Sequence, residues 1–428
     1  MDWEKDAYKI REATQQNNTL FAMSLPMIAS ENILSPLCKE MLISDFHGRY
    51  AEGTPGQRYY QGCTYFDIVE EKTMELAKKL FHCSYADVRV PSGTTANMAM
   101  FKALAEPGDT VTVLDTADGA HISYGKWGAA GIRGLELVSY PFKGDQMNID
   151  VDGAIKTIRD HHPKLALFGR SVFLFPTPLK ELSEVAHEEG ALVIYDAAHV
   201  LGLIGGGQFQ DPLREGADVV TGSTHKTLPG PQGGIILANG DEEDKNIKRL
   251  GWGVFPGVAS SYHLHHVAAK GIAFAEHLAF GKDYASQIIS NAQSLAQALW
   301  NLGFAVLCEP LGFTQSHQVV FKIGEDKGKW AAETLEQAGI IANMNMVPGD
   351  KHPMHPSGIR LGVQELTRIG MREAEMDDVA HFISRVLLKK DPVGTIKKEI
   401  TQFRQDYQTV QYCFHAGQEG YAYHHLVD

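Results

Sequence analysis

Short apolar runs alternate with amphipathic stretches between about residues 85 and 275. Runs of this kind predict strands that are buried on both faces, and they cover residues 110–114, 165–168, 191–195, 218–220 and 234–237. The stretches between them have helical spacing, as at 179–189, where Leu182, Val185 and Ala186 share one face. Strand and helix in alternation predict right-handed crossovers and a mostly parallel sheet. Because ligands bind beyond the carboxyl ends of such strands, the residues after each run are candidates for a site.

A different pattern begins near Gly281 and predicts a second domain. A long helical stretch is followed by predicted strands and further helices, at residues 285–302, 305–307, 319–321, 329–338 and 376–388. The first 45 residues show no strand pattern and predict an N-terminal arm or helix on the large domain. We therefore expect an α/β chain in three parts: the arm at 1–45, a large domain at 46–280 and a smaller C-terminal α+β domain at 281–428.

Composition and charge exclude several classes of protein. A chain of 428 residues with 44% hydrophobic and 21% charged residues is ordinary for a globular protein of more than one domain. It has no uninterrupted apolar run of about 18 residues, and its N-terminus is charged, so we expect no membrane span and no secretion. A net charge of −13 disfavours nucleic acid but allows small anionic ligands. Five scattered cysteines without a C-x-x-C pair predict reduced thiols and a cytoplasmic location.

The first candidate for chemistry is the sequence SGTTA at 92–96, at the start of a predicted helix. Free N–H groups, hydroxyls and the positive end of the helix dipole suit a phosphate at this position. An ordinary helix N-cap explains the same residues equally well. The pattern G-x-x-x-x-G-K-[ST] is absent from the sequence, and the glycines at 205–207 lack the G-x-G-x-x-G spacing, so a nucleotide site is not expected.

Asp196 and Lys226 follow successive predicted strands and are the second and third candidates. A carboxylate after an apolar strand is costly without a partner, and Asp196 suits a protonated pyridine nitrogen. A metal bound by Asp196 and His199, or a structural salt link, explains the acid as well. Lys226 lies among glycine, proline and small residues, which predicts a desolvated amine that can form an imine with an aldehyde. Both side chains should meet over one edge of the sheet.

Four motifs resemble the serine hydroxymethyltransferase family, and the likeness runs from about residue 25 to residue 390. They are IASEN at 28–32, RYAEGTPGQRYYQGC at 49–63, STHKTL at 223–228 and SGIRLG at 357–362. Shorter segments are most similar to the archaeal-type branch, namely DGAHI at 118–122, QFQDPLREG at 208–216 and HLHH at 263–266. The resemblance implies a pyridoxal-phosphate-dependent transferase of fold type I. In that fold a large domain with a mostly parallel seven-stranded sheet carries a smaller C-terminal α+β domain.

The resemblance also implies how the chain would hold pyridoxal phosphate. Lys226 would carry it as a Schiff base, Asp196 would pair with the pyridine nitrogen, and His121 would stack on the ring. The remaining implied cofactor contacts are Ser92, Gly93, Thr94, Ser171, His199 and Gly257. No metal is expected, since the HLHH segment has no acid or cysteine at ligand spacing and is interpreted as a helix start.

Substrate contacts are implied in the same way. Arg360 would hold the amino-acid carboxylate in bidentate fashion. The other implied substrate contacts are Ser30, Tyr50, Glu52, Tyr60 and Asn345. The tyrosines and Glu52 would arrive from a partner subunit, so we expect a homodimer with shared sites, and Asn345 would face the pterin. The implied catalytic roles fall on Lys226, Glu52, His121, Tyr60 and His225.

The implied reaction transfers the hydroxymethyl carbon of serine to a tetrahydropterin and leaves glycine, with Glu52 as the proton-transfer group. The acceptor, tetrahydrofolate or tetrahydromethanopterin, stays open because the chain departs from the bacterial and eukaryotic pattern. Thr116 replaces a leucine beside the pterin, Gln232 replaces an arginine, and residues 258–262 read VASSY in place of a glycine-rich segment.

Two other functions compete with this one. A threonine aldolase or L-threonine transaldolase would use the same lysine, acid and arginine without a pterin. The segments GFTQSHQ at 312–318 and IRLGVQ at 359–364 are shared with transaldolases, whereas Glu52, Tyr60 and the 49–63 segment favour the hydroxymethyltransferase. A cofactor-binding regulator without catalysis is disfavoured because the lysine, the acid and the arginine are all present.

Overall fold

The computed structural model describes residues 2–241 and 243–427. The helices in chain order are α1 (Trp3–Met23), α2 (Pro36–Leu42), α3 (Thr64–Phe81), α4 (Gly93–Leu104), α5 (Ala129–Arg133), α6 (Val151–His161), α7 (Leu179–Glu188), α8 (Leu201–Gly205), α9 (Lys245–Trp252), α10 (Leu264–Asn301), α11 (Gly328–Gln337), α12 (Gln364–Arg368), α13 (Glu373–Leu387) and α14 (Val393–Arg404). The strands are β1 (Leu25–Pro26), β2 (Gly53–Thr54), β3 (Gln57–Arg58), β4 (Tyr85–Asp87), β5 (Thr110–Val113), β6 (Glu136–Ser139), β7 (Phe142–Lys143), β8 (Asn148–Ile149), β9 (Leu165–Gly169), β10 (Leu192–Asp196), β11 (Val219–Ser223), β12 (Gly234–Ala238), β13 (Ala305–Val306), β14 (Gln318–Lys322), β15 (Ile340–Ile341), β16 (Asn343–Asn345), β17 (Gly358–Gly362), β18 (Thr409–Val410) and β19 (Gln418–Glu419).

A seven-stranded sheet forms the centre of the large domain, in the order β4-β12-β11-β10-β9-β5-β6. The pairs from β11 to β6 are parallel, and β9, β10, β11 and β12 are buried at nearly every residue. All five predicted apolar runs are strands of this sheet. The predicted seven-stranded, mostly parallel sheet is confirmed.

β12 runs antiparallel to both of its neighbours. The connection from β11 to β12, residues 224–233, contains no helix. A parallel neighbour needs a crossover of about a dozen residues or more, so this short connection has to reverse the chain. The connection carries Lys226, which therefore lies at the same edge of the sheet as the end of β10.

A four-stranded antiparallel sheet in the order β13-β14-β17-β16 forms the second unit, and α10 and α11 pack against it. The predicted strands and helices of this unit are all present. The helix predicted at 285–302 is the second half of α10, so the predicted boundary near Gly281 falls inside a continuous helix, and the division of the chain there stays a prediction. α10 has 38 residues, but neither it nor another helix within the described residues is apolar enough to cross a membrane.

The N-terminal segment differs from what its pattern predicted. α1 packs against α14 and the C-terminal residues, where Asn18 Nδ2 donates to the Tyr421 carbonyl oxygen at 3.0 Å. β1 pairs in parallel with β15. Residues 2–26 therefore lie on the C-terminal part of the chain rather than on the large domain, and they include a strand that we did not predict. A two-residue strand containing Pro26 has no periodicity to detect.

Gly202 in α8 lies directly on the connection that carries Lys226. Its N–H donates to Thr227 Oγ1 at 3.0 Å, and an added Cβ would lie 2.3 Å from the Thr227 carbonyl carbon and oxygen. Because backbone atoms cannot move aside cheaply, we predict that Gly202→Ala lowers the free energy of unfolding by roughly 1–3 kcal/mol. Thermal unfolding followed by circular dichroism measures the loss as a lower Tm.

Gly394→Ala is the matched control for this variant. Gly394 lies in the first turn of α14, and nothing lies within 4 Å of an added Cβ there. Alanine favours a helix by up to about 1 kcal/mol over glycine, so this variant should keep or slightly raise the Tm. A Gly202→Ala protein with the Tm of the parent would contradict the close contact between α8 and the connection.

Candidate active site

A cavity of about 210 Å³ opens at the carboxyl edge of the central sheet. The predicted site residues that line it are Ser92, Gly93, Thr94, His121, Ser171, Asp196, His199, His225 and Lys226. They come from the start of α4, from the ends of β9, β10 and β11, and from the turn before α5. The parallel strands bring these distant segments to one edge, as the sequence predicted for Asp196 and Lys226.

The start of α4 forms one wall of the cavity. Ser92 is the N-cap residue, and its Oγ accepts a hydrogen bond from the Thr95 N–H at 3.1 Å. An added Cβ on Gly93 would lie 2.4 Å from Ser223 Oγ, so the helix start lies close to β11. Ser92 is thus an N-cap, as one interpretation predicted, and the phosphate site stays a prediction because the earlier N–H groups of the first turn remain for an anionic ligand.

Asp196 at the end of β10 is 4% exposed and accepts three hydrogen bonds. Its Oδ2 accepts from Asn97 Nδ2 at 2.8 Å and from the Tyr124 hydroxyl at 2.5 Å, and its Oδ1 accepts from the Ala198 N–H at 2.9 Å. These donors offset the cost of burying the carboxylate. All three are neutral, so hydrogen bonds take the place of the salt link that the sequence allowed.

Asn97 and Tyr124 are site residues that the sequence analysis missed. Asn97 is a buried polar residue on the apolar face of α4, next to Ala96 and Met100, and that break in the pattern was the signal for it. Thr221 Oγ1 donates to Asn97 Oδ1 at 2.7 Å and so fixes the orientation of the amide. Tyr124 gave no local signal, because a buried tyrosine is ordinary in a core of this size.

Lys226 lines the cavity with a side chain that is 8% exposed. Burial lowers the pKa of its amine from the usual 10.5 to about 8, a shift that the Asp196 carboxylate opposes and the Arg360 cation increases. An amine with this pKa is partly neutral at neutral pH, and the neutral amine is the nucleophilic form. Burial of the amine thus gives the desolvation that the sequence around Lys226 predicted.

Two histidines of the cavity are held in their neutral form. His121 Nδ1 accepts a hydrogen bond from the Ser123 N–H at 3.2 Å, so the proton of the neutral ring lies on Nε2. Burial lowers the pKa of His121. The Asp196 carboxylate opposes this shift, and the Lys226 cation lowers the pKa further. Burial and the Lys226 cation lower the pKa of His225 to about 4. Each neutral imidazole can therefore donate one hydrogen bond and accept another.

Arg360 reaches the site from the small sheet, at the centre of β17. Its Nη1 donates to the Ser171 carbonyl oxygen at 2.9 Å, and its Nε donates to Asn343 Oδ1 at 3.2 Å. Burial lowers the pKa of the guanidinium to about 10, which leaves it cationic at neutral pH. Both partners are neutral, so the positive charge is available for a carboxylate ligand.

A second cleft of about 210 Å³ shares Ser171 with the first cavity. Thr116 and Asn345 both line it, together with Val172 and Met344. The structure thus brings together the two positions that the sequence analysis connected with a pterin. Apolar walls with an amide among them suit a flat heterocycle that has polar edges.

The structure does not bring Tyr50, Glu52, Tyr60 or Gly257 to either cavity. Tyr50 and Tyr60 are 54% and 44% exposed, and their ring centroids lie 5.3 Å apart on the surface. Gly257 is exposed in the segment Gly253–Val258, which Tyr59 contacts through Phe255 at 6.0 Å between ring centroids. Tyr50, Tyr60 and Gly257 are therefore exposed, and Glu52 is half-buried on the same segment as the two tyrosines.

The buried Arg58 side chain orders the segment that carries Tyr50, Glu52 and Tyr60. Its Nε donates to Asp67 at 2.8 Å, Nη2 donates to the buried Glu70 at 2.5 Å, and Nη1 donates to the Tyr262 hydroxyl at 2.9 Å. Because the guanidinium also donates to two backbone carbonyls of the segment, the segment is ordered within one chain.

Ser30 is half-buried and lies beside the end of β17, outside the lining of both cavities. The preceding Ala29 accepts a hydrogen bond from His317 Nε2 at 3.1 Å, and Gly362 N–H donates to the Met27 carbonyl oxygen at 2.8 Å. The IASEN motif is therefore attached to the strand that carries Arg360.

The HLHH segment starts α10, as interpreted, with His263 as the N-cap residue. The rings of His265 and His266 lie 4.5 Å apart in an edge-to-face arrangement. Within residues 2–241 and 243–427, no group of three or more His, Cys, Asp or Glu side chains is arranged to hold a metal ion.

Comparison with known proteins gives a consistent result. The family described as serine hydroxymethyltransferase matches residues 4–383. The chain is 51% identical over 422 residues to the serine hydroxymethyltransferase of Pyrococcus furiosus, which covers 97% of this chain and 99% of that protein. It is 50% identical over 416 residues to that of Picrophilus torridus, with 96% of each covered. Among solved structures, the L-threonine transaldolase of Pseudomonas fluorescens resembles it with a TM-score of 0.87 and 30% identity, over 96% of each chain.

The pKa of Lys226 predicts how its reactivity depends on pH. In the cofactor-free protein, labelling of Lys226 by trinitrobenzenesulfonate should rise with pH and reach half of its maximum rate near pH 8, because only the neutral amine reacts. Asp196→Asn should lower this midpoint, and Arg360→Leu should raise it, since they remove opposite charges. Peptide mass spectrometry across a pH series measures the rates. A midpoint near 10.5 in all three proteins would contradict a desolvated amine.

Proposed function

The chain belongs to the serine hydroxymethyltransferase family, and from this premise we propose that it transfers the hydroxymethyl carbon of serine to a reduced pterin and leaves glycine. One observation carries the proposal. The buried Lys226 amine and the buried Asp196 carboxylate line one cavity, and the Arg360 cation is bonded at its edge to Ser171, with only neutral partners. An amine, an acid and an arginine in this arrangement suit an amino acid joined to pyridoxal phosphate.

The residues of the cavity fit pyridoxal phosphate, which the fold of the family implies. Ser92, Gly93 and Thr94 line the cavity at the start of α4, and Gly93 carries no side chain there, so a phosphate would meet the N–H groups and hydroxyls of residues 92–94. Asp196 would hold the pyridine nitrogen, and Lys226 would be the point of covalent attachment. When bound, the cofactor supplies an aldehyde for the amine and a ring that takes up the electron pair of the broken bond.

The other residues of the cavity would bind the substrate and move its protons. Arg360 would bind the serine carboxylate through two parallel hydrogen bonds, which a lysine cannot form. The Nε2–H of neutral His121 would donate to the serine hydroxyl. Lys226 Nζ can take up and release a proton near neutral pH because burial lowers its pKa to about 8.

We assign Tyr50, Glu52 and Tyr60 to the cavity of a partner subunit. The two tyrosines are exposed and Glu52 is half-buried, all three lie outside the lining of the two cavities described above, and Arg58 orders their segment, so it is preformed for such a contact. In a two-fold symmetric homodimer each subunit would complete the site of the other. Glu52 would then move the proton between the serine hydroxyl and the acceptor, and Gly257 on the adjoining segment would reach the partner's cofactor.

The second cleft is the place that we propose for the pterin. It shares Ser171 with the first cavity, so an acceptor held there would lie next to the bound serine. Asn345 would bind the polar edge of the pterin ring. Thr116 is smaller than the leucine that the family pattern has there and should reshape this cleft, so we propose that tetrahydromethanopterin is the preferred acceptor and tetrahydrofolate a weak one.

A transaldolase is the second candidate, and the likeness to the Pseudomonas fluorescens enzyme favours it at the level of fold. That enzyme is 30% identical to this chain, against 50% and 51% for the two hydroxymethyltransferases. The second cleft also supports an acceptor larger than a simple aldehyde. The hydroxymethyltransferase is therefore the better-supported function.

Shared active sites predict that two inactive variants restore each other. Glu52→Gln and Lys226→Ala should each be inactive alone, but hybrid dimers would contain one site with neither change. A 1:1 mixture should recover up to roughly a quarter of normal activity, given two-fold symmetry and free exchange of subunits. Serine turnover after mixing measures the recovery.

A mixture of Glu52→Gln with Tyr60→Phe is the matched control. Both changes lie on the same segment, so each site of a hybrid dimer would still contain one of them, and activity should not rise. Recovery in this control, or none in the first mixture despite proven subunit exchange, would place Glu52 and Lys226 in the site of one subunit.

The choice of acceptor is tested with serine, threonine and allo-threonine, each without a pterin, with tetrahydrofolate and with tetrahydromethanopterin. Serine cleavage should depend on a reduced pterin and be fastest with tetrahydromethanopterin. Asn345→Ala should raise the KM for the pterin and leave the pterin-independent cleavage of allo-threonine unchanged, because it lines only the second cleft. If serine turnover ignored every pterin while threonine and an added aldehyde gave a new β-hydroxy amino acid, the transaldolase would replace our proposal.

A further inference from the structure

Gln318 joins the small sheet to the large domain beside the cavity. It is the first residue of β14 and is fully buried. Its Oε1 accepts from the Phe173 N–H at 2.9 Å, and its Nε2 lies 3.0 Å from the Ser171 carbonyl oxygen and 3.0 Å from His199 Nδ1. All three partners belong to the segments after β9 and β10, which carry the candidate site.

The backbone fixes the orientation of this amide. The Phe173 N–H can only donate, so it must face Oε1, and the Ser171 carbonyl can only accept, so it must face Nε2. The reverse orientation would set two N–H groups against each other and two oxygens against each other. The second N–H of Nε2 is therefore directed at His199 Nδ1.

His199 Nδ1 consequently accepts a hydrogen bond and carries no proton. His317 does not compete for the Gln318 N–H, because its Nε2 must donate to the Ala29 carbonyl oxygen at 3.1 Å. Burial and the Lys226 and Arg360 cations lower the pKa of His199 well below its usual value, so the ring is neutral. Its single proton lies on Nε2, and His199 lines the cavity.

We propose that Gln318 is a positioning residue that makes His199 an Nε2–H donor for the cavity and, through the Ser171 carbonyl, fixes the place of Arg360. The Ser171 carbonyl accepts from both Gln318 Nε2 and Arg360 Nη1. The Gln318 amide thus orients the His199 donor on the cofactor side of the cavity and positions the Arg360 cation on the substrate side. This role rests on the proposed function, since the donor would act on an oxygen of pyridoxal phosphate and the cation on the serine carboxylate.

Gln318→Glu tests the proposal with little change of shape. A carboxylate still accepts from the Phe173 N–H, but it offers only an acceptor to His199, so Nδ1 has to carry a proton. Nitrogen NMR of histidine-labelled protein, with the His199 signals assigned from a His199→Gln sample, distinguishes the two forms. The parent should show Nδ1 without a proton, and Gln318→Glu should show it protonated.

Gln318→Leu removes the amide and tests the same role through binding. The Nε2 proton of His199 is then no longer enforced, and affinity for pyridoxal phosphate should fall roughly tenfold, the effect of about one hydrogen bond. The KM for serine should rise more than kcat falls, because Arg360 loses the fixed position of the Ser171 carbonyl. Fluorescence titration with pyridoxal phosphate and initial rates measure the two effects.

Gln210→Leu is the matched control, since Gln210 is another buried glutamine of the same region. It bonds to Thr177, Glu215 and the Tyr195 hydroxyl rather than to His199. This variant should lower the Tm but leave the His199 nitrogen signals and the cofactor affinity unchanged. Changes of equal size in Gln210→Leu and Gln318→Leu would overturn the proposal, because they would reflect general destabilisation.

The outcomes separate this proposal from the function on which it rests. A chain that bound no pyridoxal phosphate would overturn the proposed function and, with it, the role of Gln318 at a cofactor. If the parent and both Gln318 variants bound it with equal affinity and showed the same form of His199, only the role of Gln318 would be overturned.

Discussion

A buried carboxylate costs free energy unless donors surround it, and the candidate site is arranged around the donors that Asp196 collects. Asn97 attaches α4 to this acid, which fixes the start of that helix relative to β10. Tyr124 attaches the turn that carries His121. The expected positions of a phosphate, a pyridine nitrogen and a stacked imidazole therefore depend on one acid and its hydrogen bonds, rather than on three independent features.

Local patterns predicted the parts of the structure that are determined locally. The strands β9, β10 and β11 are apolar runs long enough to detect, and Lys226 was conspicuous because glycine and proline surround it. Asn97, Tyr124 and Gln318 were not predicted, since they meet Asp196 or His199 across 99, 72 and 119 residues of the chain. A pattern within one segment can mark a buried polar residue, as it marked Asn97 in α4, but it does not identify the distant partner. β1 was not detected because two residues have no period.

Other candidate residues were predicted only through the resemblance to a family. Exposed tyrosines such as Tyr50 and Tyr60 are unremarkable by themselves, and a single chain keeps them away from Lys226. The resemblance also implied the role of Arg360, but only the folded structure shows that its guanidinium is buried and, among the described residues, bonded to Asn343 and Ser171 rather than to an acid. The site thus combines residues of two sheets, and we assign its remaining members to a second subunit.

The uninterrupted course of α10 has a mechanical consequence. Its 38 residues span about 57 Å, and it packs on α3 and α8 of the large domain as well as on α13 and β14 beyond it. A flexible linker would let the two parts swing freely, whereas a continuous helix behaves as a stiff rod that bends only gently. Movement of the small sheet toward Lys226 must bend this rod or slide along it. The stiffness of this one helix therefore limits how far Arg360 can move toward Lys226 when a substrate binds.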